Sequence, residues 1–133
     1  FSPGPLTFVM RKKSPVPDIT TGGGDTVALR IPAHPVALAL LAQLDFPLAA
    51  PSANPSGYVS PVTAAHVAEG LGGKIPYILD GGPCTIGLES TVIAFESGTI
   101  IVLRAGGVTV EALRAFAPVE VRTHAQPAAG SPR

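Results

Sequence analysis

The stretch Thr91–Gly107, TVIAFESGTIIVLRAGG, decides the fold. TVIAF and IIVLR are dominated by β-branched residues, and ESGT between them is short and carries the glycine that a tight reversal needs. Residues 91–104 are therefore expected to form a β-hairpin, with AGG breaking its second strand. A hairpin supplies an antiparallel pair, whereas the chain ahead of it alternates strand and helix patterns, which calls for parallel pairs. The expected class is α/β: a twisted, open, mixed parallel/antiparallel sheet with flanking helices.

Working outward, LTFVMRKK (6–13) has strand composition and ends in the three cations Arg11–Lys13. SPVPDITTGGGD (14–25), with two prolines and three glycines, reads as an irregular loop. TVALRI (26–31) alternates, placing Val27 and Leu29 on one face and Thr26, Ala28 and Arg30 on the other. AHPVALALLAQL (33–44) predicts a mostly buried helix with Pro35 in its first turn and an end near Asp45. FPLAAP (46–51) reads as a short apolar strand, and IPYILDGG (75–82) as a buried strand running into a turn. Between them, Ser60 is expected to cap a helix with Pro61 at its first position, stopped by Gly72 and Gly73. PCTIGLES (83–90) is a small-residue loop, Thr109 caps the helix VEALRAF, and VEVR (119–122) is a last edge strand. THAQPAAGSPR (123–133) has linker composition, which divides the chain into a domain at 1–122 and a tail at 123–133.

The 133 residues are 46% hydrophobic, enough for one ordinary domain with a core. Nine basic and nine acidic residues cancel, so the whole-chain charge advertises neither nucleic acid nor membrane, and any bound anion must be held by local groups. Cys84 is the sole cysteine, which excludes an intrachain disulfide and a four-cysteine zinc site and suits a cytoplasmic protein. No apolar run reaches the roughly 18–20 residues of a membrane span, and FSPGPLTFVM lacks the basic lead and apolar core of a signal peptide. The abrupt start without Met suggests a fragment.

Four local features can carry chemistry: Thr26 with Arg30, the PSANPSG loop (51–57) with Ser60 beyond it, GLEST (87–91), and Arg104 ahead of Gly106 and Gly107. Hydroxyls beside glycines let backbone N–H groups and short side chains approach a phosphate or carboxylate closely. The commoner reading of Ser52, Asn54 and Ser56 is a set of Asx and Ser turns, and that of Ser60 a plain helix cap. Arg30 and Arg104 are either solvent-facing cations or carboxylate and phosphate clamps. Asp80 and Glu89 more often serve as turn formers than as magnesium ligands, and His34 and His66 lack a ligand-spaced partner. No nucleophile, base and orienter form a set, which disfavours hydrolase chemistry.

PGPLT, TVALRIPAHP, PLAAPSANPSG, SPVTAAHV, ILDGG, GLESTVI and VLRAGGVT, in this order, closely resemble the YrdC-like family, the threonylcarbamoyl-AMP synthases. The resemblance covers about Pro3 to Phe116. It implies a YrdC-like fold truncated on its N-terminal side, and a nucleotidyltransferase activity that makes threonylcarbamoyl-AMP from L-threonine, bicarbonate and ATP with release of pyrophosphate. The product serves threonylcarbamoyladenosine modification of tRNA, so tRNA-modification machinery is the implied downstream partner. The resemblance assigns Thr26, Ser52, Ser60 and Arg104 to ATP, and Arg30, Ala50 and Ser90 to L-threonine; Ala50 acts there through its backbone or its small size. It implies Mg2+ arriving with ATP and no protein metal site.

Against the family's pattern, a basic Lys-x-Arg segment would lie before Phe1, Ser2 stands where an aromatic residue is common, and Ala105 stands where proline is common. The missing segment implies that the isolated chain is deficient in activity, and exposed sheet edges predict self-association. Two alternatives come from the same fold: the carbamoyl-adenylate-forming module of a hydrogenase-maturation carbamoyltransferase, and a non-catalytic RNA-binding module in contact with RNA. The first is weakened by the absence of acylphosphatase or zinc-binding segments, and the second by zero net charge.

Overall fold

A computed structural model describes residues 1–122; the linker expected at 123–133 lies outside the described residues. The chain divides into two compact units, Phe1–Pro32 with Leu88–Arg133, and Ala33–Gly87.

The first unit is built on a five-stranded sheet of β1 (Leu6–Arg11), β2 (Thr26–Leu29), β3 (Thr91–Glu96), β4 (Thr99–Arg104) and β5 (Val119–Val121), in the order β2-β1-β3-β4-β5. β3 and β4 form the expected hairpin, with Glu96 opposite Thr99. Ser97 (φ 46°) and Gly98 (φ 81°) are both left-handed, the backbone that lets a two-residue loop follow the twist of its strands. β1 runs parallel to β3 and antiparallel to β2, and β5 joins β4 in parallel. The sheet is thus mixed, as the sequence predicts, and VEVR supplies its edge.

Leu6, Ile93, Ile100 and Val102 project from the sheet against Val108 and against Leu113 of the helix α4, Val110–Arg114. Ile93 and Val102 are fully buried, each such side chain contributing about 1.5–3 kcal/mol over its exposed state. α4 starts where expected because the Thr109 hydroxyl accepts the Ala112 N–H at 3.2 Å.

The segment read as an irregular loop contains one helical turn, α1 (Asp18–Thr21). Pro17 stands extended at its N-cap, Asp18 offers negative charge to the first turn, and left-handed Gly22 ends it. Proline and glycine punctuate this segment as breakers do, but at the two ends of a turn rather than within it.

The second unit holds two helices, α2 (Pro35–Leu41) and α3 (Ala64–Leu71), and no strand among its described residues. The strands expected at 46–51 and 75–82 do not form. Pro47, Pro51 and Pro76 remove ladder donors, and neither segment meets a partner to pair with. The first helix is shorter and more open than its apolar pattern implies. It closes at Leu41 rather than near Asp45, and none of its residues is buried.

Ser60 is not a helix cap. The second helix begins at Ala64, where the extended Thr63 accepts the His66 N–H at 3.3 Å. The Val62 carbonyl is taken by the Cys84 N–H at 2.8 Å, which keeps residues 60–62 out of the helix. Gly72 ends that helix as expected.

Candidate functional site

In the sheet unit, candidate residues gather where β1 and β3 begin and β4 ends. Ser90 stands one residue before β3 and is buried; its Oγ lies 2.8 Å from the buried Thr7 Oγ1. Arg104, the last residue of β4, donates through Nε (3.1 Å) and Nη2 (2.9 Å) to the Ser90 carbonyl, and through Nη2 (3.0 Å) to Ser90 Oγ. Glu89 Oε2 lies 3.6 Å from the same Nη2, a partly exposed pair of modest strength. The guanidinium fork is thereby locked onto one residue while nearly half of the side chain stays open to solvent.

The backbone beneath explains the glycines. A Cβ on Gly106 would fall 2.2 Å from the Glu89 carbonyl oxygen and 2.6 Å from the Ser90 carbonyl carbon, so only glycine lets the two segments touch. The Gly107 N–H donates to Glu89 O at 2.9 Å. Thr91 Oγ1 donates to Val108 O (2.7 Å) and accepts from Val108 N–H (2.9 Å), fixing GLEST against AGGV from both ends.

Arg30 belongs to the same end of the sheet. The antiparallel register runs from Arg11↔Thr26 to Phe8↔Leu29, so Arg30 follows on the side of Thr7. It is exposed and forms no ion pair among the described residues. Thr26 shares its face but begins β2 opposite Arg11, four residues away, or about 13 Å along the strand. The structure thus brings Arg30, Ser90 and Arg104 to one end of the sheet and leaves Thr26 at the other.

In the second unit, Ala50 and Ser52 lie on exposed loop backbone. Asn54 closes that loop, donating from Nδ2 to the carbonyls of Pro55 (3.0 Å) and Tyr58 (2.9 Å). Those two acceptors fix the orientation of the amide, and its Oδ1 is buried without a partner among the described residues. Asn54, Tyr58, Ser60, His66, Glu69 and Gly70 help line a cleft of about 620 Å³. Asn54 was legible only as a turn former; its buried, unmatched acceptor is a three-dimensional fact.

The other candidates are structural. Asp80 Oδ1 accepts the Gly82 N–H at 2.8 Å, as a turn former does. His34 caps the first helix, with Nδ1 accepting from Val36 N–H, so Nε2 carries the proton donated to Gly81 O at 3.1 Å. Among the described residues no three His, Cys, Asp or Glu side chains group as metal ligands, and no helix is long and apolar enough to cross a membrane.

Both the sequence and the fold match a known family. The Sua5/YciO/YrdC family, described by the words telomere recombination, matches residues 1–106, and the chain belongs to it. It is 50% identical over 124 residues to the threonylcarbamoyl-AMP synthase of Pyrococcus abyssi, covering 93% of this chain and 36% of that protein. It is 46% identical to those of Schizosaccharomyces pombe (92% of this chain, 31% of that protein) and Bacillus subtilis (91% and 36%). The crystal structure of P. abyssi Sua5 complexed with L-threonine superposes with a TM-score of 0.84 at 48% identity, over 90% of this chain and 36% of that one. A doubly substituted P. abyssi Sua5 gives 0.86 at 50% identity, over 93% and 36%. The chain therefore spans about a third of the length of these relatives.

Proposed function

We propose that this chain is part of an ATP-dependent nucleotidyltransferase that forms threonylcarbamoyl-AMP from L-threonine, bicarbonate and ATP for tRNA modification in the cytoplasm. The observation that carries this reading is the 48% identical match, at TM-score 0.84, to a Sua5 structure holding L-threonine. Arg30, Ser90 and Ala50 take the amino acid, and Arg104, Thr26, Ser52 and Ser60 take the nucleotide. Ser60 lining the cleft of the second unit suits the nucleotide role better than the cap role that the structure gives to Thr63.

The chemistry fits the residue types. The threonine amine condenses with bicarbonate, losing water, to give a carbamate. A carbamate oxygen then attacks the α-phosphorus, the bond to the β-phosphate oxygen breaks, and pyrophosphate leaves. Such anionic reactants need orientation and cationic stabilisation rather than a protein nucleophile, and Arg30 and Arg104 supply fixed positive charge. Asp80 is engaged in its turn and Glu89 faces Arg104, so neither suits a protein-held metal site. Magnesium would accompany the triphosphate and neutralise its charge.

The intact protein should release pyrophosphate from ATP only when both L-threonine and bicarbonate are present. The isolated 133-residue chain, spanning about a third of its relatives, should turn over far more slowly. Threonine-independent release by the intact protein, with carbamoyl phosphate as the productive co-substrate, would point to the carbamoyltransferase-type module instead.

A further inference from the structure

We propose that Thr7 is a positioning residue for the amino-acid subsite, acting by fixing the direction in which Ser90 donates its hydroxyl proton. This rests on the reading that Ser90 contacts L-threonine. Thr7 and Ser90 are both buried, 2.8 Å apart, and 83 residues apart in sequence. The guanidinium of Arg104 has no acceptor, so the 3.0 Å contact from its Nη2 commits one lone pair of Ser90 Oγ. The two hydroxyls carry two protons between them and share one hydrogen bond. Among the described residues neither has any other acceptor, so one O–H of the pair is available to a ligand oxygen.

Because Ser90, not Thr7, is the residue that contacts L-threonine in the proposed function, that outward O–H belongs to Ser90. Nε and Nη2 of Arg104 are bound to Ser90, while the partly exposed fork leaves Nη1 for the nucleotide. Thr7 then donates to Ser90 Oγ, the Arg104 N–H and the Thr7 O–H fill both of its lone pairs, and the Ser90 O–H is directed outward to the substrate. Two donors feeding one hydroxyl also polarise it and strengthen its own donation.

The test is equilibrium titration of the intact protein with L-threonine, together with KM for ATP. Thr7→Val keeps the shape and removes the donor; it should weaken L-threonine binding about 3–10-fold, the range of one net hydrogen bond, with KM for ATP within about twofold. Thr7→Ser restores the donor and should recover the affinity. In a Ser90→Ala background, Thr7→Val should add nothing, because its effect passes through Ser90. Should the valine variant unfold, Thr7→Ala gives the same readings without a methyl against Ser90. Unchanged L-threonine affinity in Thr7→Val, with a clear loss in Ser90→Ala, overturns the proposal and leaves the threonine subsite standing. An equal Thr7→Val effect with and without Ser90 also overturns it. No loss in Ser90→Ala overturns it one step earlier, by removing Ser90 from the subsite.

Discussion

The sheet unit and the unit at Ala33–Gly87 draw on the same apolar vocabulary and spend it differently. In the sheet, Leu6, Ile93, Ile100 and Val102 are sealed beneath α4. In residues 33–87 no apolar side chain is buried, although Val36, Leu38, Leu41, Phe46 and Leu48 follow one another closely. A strand ladder brings apolar side chains into register with neighbours already in place, whereas caps and turns hold a backbone shape without enclosing anything. Stability therefore resides in the sheet and local adaptability in the loops.

That division is most directly broken at the core. Ile93→Ala should cost about 2–5 kcal/mol, since β3 and β4 cannot close over the space it leaves, whereas Leu38→Ala, at a side chain 37% exposed, should stay within about 1 kcal/mol. Urea titration followed by far-ultraviolet circular dichroism measures both. Equal losses would show that residues 33–87 carry a core as costly to disturb as that of the sheet. Hydrogen exchange sharpens the contrast, with amides of β3 and β4 outlasting those of 33–87.

Next in size is Gly106→Ala. Its Cβ meets backbone, which cannot move aside as a side-chain tip can, so the GLEST segment must shift, at about 1–3 kcal/mol. Because Ser90 and Arg104 sit on the two segments forced apart, L-threonine affinity should fall together with thermal stability. A variant with unaltered melting and unaltered affinity would show that the close approach is dispensable.

The helix caps separate structure from site within the second unit. Thr63→Ala removes the oxygen that accepts the His66 N–H and should cost about 0.5–2 kcal/mol. Ser60→Ala should leave the helix intact and raise KM for ATP. Thermal melting and ATP kinetics on the pair decide between them; a reversal of the two effects would return the capping role to Ser60.

What was legible in the sequence follows the same line. The β3–β4 hairpin and the Thr109 cap rest on neighbouring residues, and propensity with turn chemistry is enough to place them. The strands expected at 46–51 and 75–82 were misread because a strand exists only with a partner, which no local pattern supplies. The cap expected at Ser60 falls instead to Thr63, because the Cys84 N–H, twenty-one residues beyond Thr63, takes the Val62 carbonyl. Seven ordered segments named Ser90 and Arg104 as site residues. That Arg104 grips Ser90, and that Thr7 meets the same hydroxyl, appears only when three strands are laid side by side.

The smallest effect lies at the sheet edge. Glu120 on β5 binds Arg122 through both carboxylate oxygens, at 2.5 and 3.0 Å, and Glu96 reaches the same guanidinium at 2.6 Å. The hydrogen bond from Arg122 holds the Glu120 carboxyl below its ordinary range, against the smaller opposing effect of desolvation. A carboxylate whose folded pKa is depressed stabilises the fold fully above its unfolded pKa and loses that contribution as the pH falls through the folded value. Acidification below the usual carboxylate range should therefore release β5, and Glu120→Gln should flatten that part of the stability profile while changing little at neutral pH. Because the pair is exposed, salt should shrink the difference as well. Stability against pH for the two forms, at low and high ionic strength, measures it; identical acid limbs would show that β5 is held by its backbone bonds to β4 alone.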